Sequence, residues 1–141
     1  MEIAAPPAAV FAWLADPERR LEWMGALAES EPLTEGPPAV GSRYRDVFED
    51  HGQRVELEAE LAELQPARRL RTSIVANGFE STSTQDLEET GRGTRLTTVV
   101  ETVYTKRVGR IFAPLVTRHA QKQLEADHSR LKELVESEHR A

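Results

Sequence analysis

The last third of the chain constrains the fold most. From about Val108 to Val135 runs one long helical pattern, with Phe112, Val116, Ala120, Leu124, Leu131 and Val135 forming an apolar stripe. Arg118, Lys122, Glu125, Arg130, Lys132 and Glu133 fit an outer, solvated face. Ahead of this pattern lies a series of strand-like segments, and ahead of those a helix near the N-terminus. That order suits a sheet wrapped around the terminal helix. Such a sheet leaves a cavity between itself and the helix, and the question of function becomes what fills it.

At 141 residues the chain fits one domain, spanning 1–141. A domain of this size buries roughly two-thirds of its unfolded surface and needs no covalent staples. The absence of cysteine excludes disulfides, thiolate metal sites and a cysteine nucleophile. A formal net charge of −6, with basic residues spread out, argues against a nucleic-acid partner. Met1-Glu2-Ile3 followed by Pro6-Pro7 lacks the basic and apolar regions of a signal peptide. No apolar run approaches the ~20 residues of a membrane helix. The expectation is a cytoplasmic protein with no stable membrane insertion.

Pro6-Pro7 suits the first turn of a helix, where a missing N–H costs nothing. Val10, Phe11, Trp13 and Leu14 then supply an apolar helical face, and Asp16-Pro17 stops it. Glu18 to Leu27 reads as a second short helix or turn, and the Pro/Gly stretch from Pro32 to Gly41 as a loop. From Ser42 the period becomes two. Arg43 to Glu49 is a strand, broken at Asp50-His51-Gly52. In Gln53 to Leu64, Val55, Leu57, Ala59 and Leu61 alternate with Glu56, Glu58 and Glu60, giving one buried and one wet face. Leu70 to Ala76 follows, then a hairpin signal at Asn77-Gly78. Phe79 to Glu88 and Gly93 to Thr105 form another hairpin, rich in β-prone Thr, Ser and Val.

These segments resemble a known family. The run Ile3-Ala4-Ala5-Pro6-Pro7-Ala8-Ala9-Val10-Phe11-Ala12-Trp13-Leu14-Ala15-Asp16-Pro17 resembles the opening of the START-like (SRPBCC) superfamily, in its polyketide cyclase/dehydrase-like branch. There an apolar strand end runs into A-P-x-x-V-F/W-x-x-L-x-D. Leu21-Glu22-Trp23-Met24 is similar to that family's aromatic residue after the first helix. Gly41-Ser42-Arg43-Tyr44 resembles its G-[ST]-x-[FY] strand start. Leu64-Gln65-Pro66-Ala67-Arg68-Arg69-Leu70 resembles its x-x-P-x-R-L turn, and Gly93-Thr94-Arg95-Leu96-Thr97 its G-T-x-L strand. The resemblance covers nearly the whole chain in order. It implies an α+β helix-grip fold: a curved antiparallel sheet of about seven strands around a long C-terminal helix, with an apolar cavity between. Members bind lipids, polyketides or other hydrophobic molecules, and a minority are enzymes. They usually carry a longer first strand, so here the first strand is expected to be clipped, and its edge could pair with a second copy to give a homodimer.

Three candidate sets carry chemistry. On the terminal helix His119, beside the apolar stripe, could act as a ligand contact or a general base; its plain alternative is a histidine packing on the sheet. Gln123 and Asp127 continue its line at i, i+4 spacing and could anchor polar ligand atoms, although Asp127 reads more readily as an edge of the solvated face. On the strands, Tyr44, Asp46 and Phe48 share a face. If that face points inward, Asp46 is a buried acid needing a partner; if Val47 marks the inner face, it is bland. Ser81, Ser83, Thr98 and Thr102 could turn hydroxyls inward. Trp13 and Trp23 read as core, with Trp23 near the cavity mouth by family resemblance. His51, His119, His128 and His139 are scattered, and His119 and His128 project roughly 180° apart on a helix, so no metal site is expected. No phosphate loop or nucleophile elbow appears, and no cofactor is expected.

The reading is a domain that binds a small hydrophobic molecule, lipid- or polyketide-like, in an internal cavity. Its expected ligand-binding residues are Trp23, Tyr44, Leu57, Ala59, Ile74, Leu96, Phe112, Val116, His119 and Gln123. Two other readings stand beside it: a polyketide cyclase, aromatase or dehydratase using a cavity acid/base, and a cochaperone-like protein-interaction module, which would need a large exposed apolar patch.

Overall fold

The computed structural model describes the backbone of all residues except 51, 77 and 106, and the side chains of all except 50, 51, 77 and 106–120. The chain runs β1 (Glu2–Ile3), α1 (Pro7–Ala15), α2 (Pro17–Trp23), β2 (Leu27–Pro32), β3 (Arg43–Asp50), β4 (Gln53–Gln65), β5 (Arg69–Ala76), β6 (Phe79–Thr90), β7 (Gly93–Tyr104) and α3 (Arg107–Arg140). The strands form one antiparallel sheet in the order β1-β7-β6-β5-β4-β3-β2, and α3 packs on its concave face. This is the α+β helix-grip arrangement. Residues 28–31, in no element by sequence pattern, belong to strand β2: Ala28-Glu29-Ser30-Glu31 offers no apolar alternation, and pairing with β3 organises it.

Local chemistry sets the helix boundaries. Pro7 begins α1 with its φ already helical, and Asp16 both ends α1 and starts α2, its carboxylate accepting from the Glu18 N–H at 2.9 Å. The β6–β7 turn closes through Gly93, whose φ is +149° and whose missing Cβ leaves room for the Ile3 carbonyl oxygen.

Register decides which side chains face inward. Tyr44 lies opposite Ala59, Ala59 opposite Ile74, Ile74 opposite Ser81 and Ser81 opposite Thr102. Two residues along β3, Asp46 pairs with Leu57, so Tyr44, Asp46 and Phe48 share the concave side of the strand. On the convex side Glu56 and Glu58 are exposed and pair across strands with Arg45 and Arg43. Such pairs are worth under about 1 kcal/mol each and act chiefly to keep this face wet.

The core is gathered at one end of the concave face. Leu131 and Val135 of α3 are fully buried against Val10 and Leu14 of α1, Ile3, and the inward Leu61, Leu70, Leu87 and Leu96 of the strands. Polar ties fix the same end. Lys132 Nζ donates to the Glu2 carbonyl at 2.8 Å, and Glu136 accepts from the Ala4 N–H at 2.8 Å. Half-buried His128 meets Thr98 Oγ1 at 3.0 Å through Nε2.

Two outcomes follow. Leu131→Ala should lower unfolding free energy by about 2–5 kcal/mol, the usual range for a leucine truncated in a packed core, read from the denaturant midpoint. His128 gives the second. Burial, and then the N-terminal ammonium, hold its imidazole below the ordinary range, while Asp127 opposes them. The unfolded chain therefore takes up this proton first, at about pH 6.5, so the stabilising difference is intact above that pH and is lost as pH falls toward the depressed native value. The thermal midpoint should drop between about pH 7 and pH 5, and His128→Gln should flatten that slope. An unchanged slope would remove His128 from the account.

Candidate functional site

Beyond this core the concave space is incompletely filled by the described residues. A cavity of about 100 Å³ lies between the sheet, α2 and α3. Leu14, Pro17 and Trp23 wall it from the helices near the N-terminus, Leu61, Leu70 and Ile74 from the sheet, and Leu124 from α3. Its polar lining residues are Arg20, Tyr44, Thr72, Ser83, Gln85 and Asp127. The pattern is mostly apolar wall with a few polar groups, the usual character of a small-molecule site.

Two polar clusters hold α2 in place. Asp46 is 0 % exposed; its Oδ2 accepts from Arg20 Nη2 at 2.8 Å and its Oδ1 from Ser30 Oγ at 2.7 Å. The buried acid has a partner because the α2 face carrying Trp23 also carries Arg20, one turn earlier. The pair costs desolvation to assemble, and removing one partner strands the other. Across the cavity Asp127, only 7 % exposed, accepts through Oδ1 from the Gly25 N–H and from Gln123 Nε2, each at 2.9 Å. Gly25 permits this approach, since a Cβ there would sit 3.1 Å from Gln123 Nε2. Asp127 is thus a buried anchor, not an edge of the solvated face.

The remaining polar groups have distinct roles open to them. Tyr44 is buried, and loss of hydration raises its hydroxyl above the ordinary range, against the opposing effects of Ser42 and Arg20. It is a neutral donor at pH 7. Gln85 is 8 % exposed and lines the cavity with Thr72 and Ser83. Farther along the same face Ser81 and Thr102 share a hydrogen bond at 3.2 Å. Trp23 donates its indole N–H to the Trp13 carbonyl at 3.0 Å, which orients its ring as cavity wall. Among the described residues no histidine lines this cavity, and no group of three His, Cys, Asp or Glu could hold a metal.

Of the residues expected from sequence to contact a ligand, the structure brings Trp23, Tyr44 and Ile74 together around the cavity, with Gln123 hydrogen-bonded to its wall at Asp127. Leu57, Ala59 and Leu96 are buried but are not among its lining. The side chains of Phe112, Val116 and His119 lie outside the described residues. Sequence reading passes over Arg20, Gln85 and the contact of His128 with Thr98. Arg20 carries a signal in its i, i+3 relation to Trp23. Gln85 carries one in its place between Ser83 and Leu87 on the inward side of β6.

The comparisons with known proteins agree with this fold. Residues 1–136 match the family described as polyketide cyclase / dehydrase and lipid transport. No curated protein matches the chain. Among solved structures, protein CV1439 of Chromobacterium violaceum superposes with a TM-score of 0.78 at 21% identity, covering 96% of this chain and 93% of its own. Protein TTHA0849 of Thermus thermophilus gives 0.78 at 24% identity, with 94% and 91% covered. Ara h 8.0201 gives 0.70 at 16% identity, with 96% and 93% covered. At these identities the structures speak for the fold, and the match over 1–136 speaks for descent: the chain belongs to the polyketide cyclase/dehydrase and lipid transport family.

Proposed function

We propose that the chain binds a small hydrophobic molecule, lipid- or polyketide-like, in the cavity between the sheet, α2 and α3. One observation carries the reading: an unfilled space walled by Leu14, Trp23, Leu61, Ile74 and Leu124 that also presents Tyr44 and Gln85 to its interior. Empty apolar space is costly in a core, and proteins keep few voids without a use for them. The volume of about 100 Å³ is smaller than the about 150 Å³ of an apolar cavity that accepts benzene, so the space as it stands suits a short chain or one end of a larger molecule.

A second reading, catalysis of a cyclisation or dehydration on a polyketone, is favoured by a specific feature. Tyr44 keeps its proton and lies in the same wall as the Arg20–Asp46 pair, so it could donate to a substrate carbonyl as general acid. No sequence motif demands this reading.

The experiments separate the two. Native mass spectrometry of protein purified from its own host should reveal a retained small molecule, and titration with that molecule should perturb Trp23 fluorescence. Ile74→Phe, which fills the space, should weaken binding at least about tenfold while circular dichroism stays unchanged; undiminished binding would place the ligand elsewhere. Tyr44→Phe discriminates further. A binding role loses one hydrogen bond, about 0.5–1.5 kcal/mol of affinity. A catalytic role loses turnover of a model polyketone by roughly 10²–10⁴-fold with little change in affinity.

A further inference from the structure

Among the described residues Arg20 is the only cation that lines the cavity, and a single prong ties it to its partner. Its Nη2 donates to Asp46 Oδ2 at 2.8 Å, while Asp46 Oδ1 accepts from Ser30 Oγ at 2.7 Å. Ser30 thus takes the oxygen that a bidentate pair would need. A guanidinium carries several N–H donors in a rigid fork, and none of the others on Arg20 meets an acceptor among the described residues. Nor are they sealed in. The Arg20 side chain is 14 % exposed, and among the described residues Trp13 Nε1 is the one buried side-chain nitrogen or oxygen without a partner. The spare donors of Arg20 therefore border open space, and the space that Arg20 lines is the cavity.

The charges around it limit what those donors can hold. Asp46, 0 % exposed, balances Arg20. Asp127, in the same lining, has only neutral described partners, the Gly25 N–H and the Gln123 amide. Among the described residues acids thus outnumber cations here. A carboxylate brought in would meet like charge while losing its own hydration. An uncharged oxygen incurs neither cost. A carbonyl oxygen also has two lone pairs and no hydrogen to place. That matches a wall offering donors: the Arg20 fork and the Tyr44 hydroxyl, which burial keeps protonated.

We propose that Arg20 determines the specificity of the cavity: it holds the oxygen of an uncharged carbonyl group, a ketone or an ester, on an apolar chain, and the site turns away the corresponding acid. Asp46 and Ser30 are positioning residues that fix the guanidinium while leaving it donors to spare. The proposal rests on the cavity being the ligand site and adds to that reading the polar class of the ligand.

A matched series tests it: methyl butyl ketone, the alkene that replaces its oxygen by a methylene group, hexanoate and hexylammonium. Each is titrated into the isotopically labelled chain, with the N–H resonances of Gly25 and the Trp23 indole as readout. The ketone should bind roughly ten- to hundredfold more tightly than the alkene, the worth of a hydrogen bond to a charged group. Both charged analogues should bind more weakly than the ketone. Arg20→Met combined with Asp46→Asn removes both charges, so neither is left stranded, and the ketone-to-alkene ratio should fall at least about fivefold. Arg20→Lys keeps the ion pair without the fork and should lower the same ratio, which covers a double variant that fails to fold. Equal affinity for ketone and alkene, a tighter acid or ammonium, or a ratio that survives loss of Arg20 overturns the proposal and leaves the cavity reading standing. If no member of the series moves Gly25 or Trp23, the cavity reading itself falls, and this proposal with it.

Discussion

Burial of Leu131 and Val135 against the inward leucines of the sheet is the contact on which the rest of the structure depends. It places the C-terminal half of α3 over β7, β1 and α1, and the ties from Lys132 to Glu2 and from Glu136 to Ala4 hold it there. Concentrating the core at one end leaves the strand positions beyond it without large buried apolar partners among the described residues. Along β6 the inward side chains change from Leu87 to Gln85, Ser83 and Ser81, and along β7 from Leu96 to Thr98, Val100 and Thr102. Small and polar side chains cannot fill a curved sheet to close-packed density. The cavity lies where the leucines stop.

An open space needs rigid walls, and here α2 supplies one while burying only Trp23 deeply. A helix of seven residues has little stability of its own. The Arg20–Asp46–Ser30 cluster fixes it to β3 and β2, and Asp127 holds the turn after it through the Gly25 N–H. Both anchors are charge-assisted hydrogen bonds with buried carboxylates, shorter and roughly twice as strong as neutral ones. Buried ion pairs are poor sources of net stability but firm positioning devices. That suits a wall that must keep its place beside a void.

Much of this organisation is legible in the residues. Alternation in β4 and the terminal stripe ending at Leu131 and Val135 are strong periodic signals, and the ordered motifs from Ile3 to Thr97 point to the family. The concave face of β3 is not legible, because Tyr44, Val47 and Phe48 are apolar on both faces. Pairing of Asp46 with Leu57 across the ladder decides it, and that is non-local information. Asp127 misleads for the same reason: its partner Gly25 lies 102 residues away, and i, i+4 spacing to Gln123 shows only half of the cluster. Strand β2 eludes pattern reading because an edge strand under selection against pairing avoids the alternation by which strands are recognised.

The polar groups of the cavity constrain its occupant more than its volume does. A hydrogen-bonding group sealed away from water without a partner costs about 1–3 kcal/mol. Gln85 and Tyr44 both face the space with little exposure. A pure hydrocarbon entering it would displace water from the amide and the hydroxyl and return nothing to either, offsetting much of the roughly 25 cal/mol gained per Å² of apolar surface buried. A molecule with a carbonyl or hydroxyl oxygen on an apolar body would give such a group a partner and keep the gain. The tyrosine, held neutral by burial, donates, and the glutamine can donate or accept. For the proposed ligand, such a wall would favour an oxygenated hydrophobe over a plain one, by the cost of the amide that a plain one would strand.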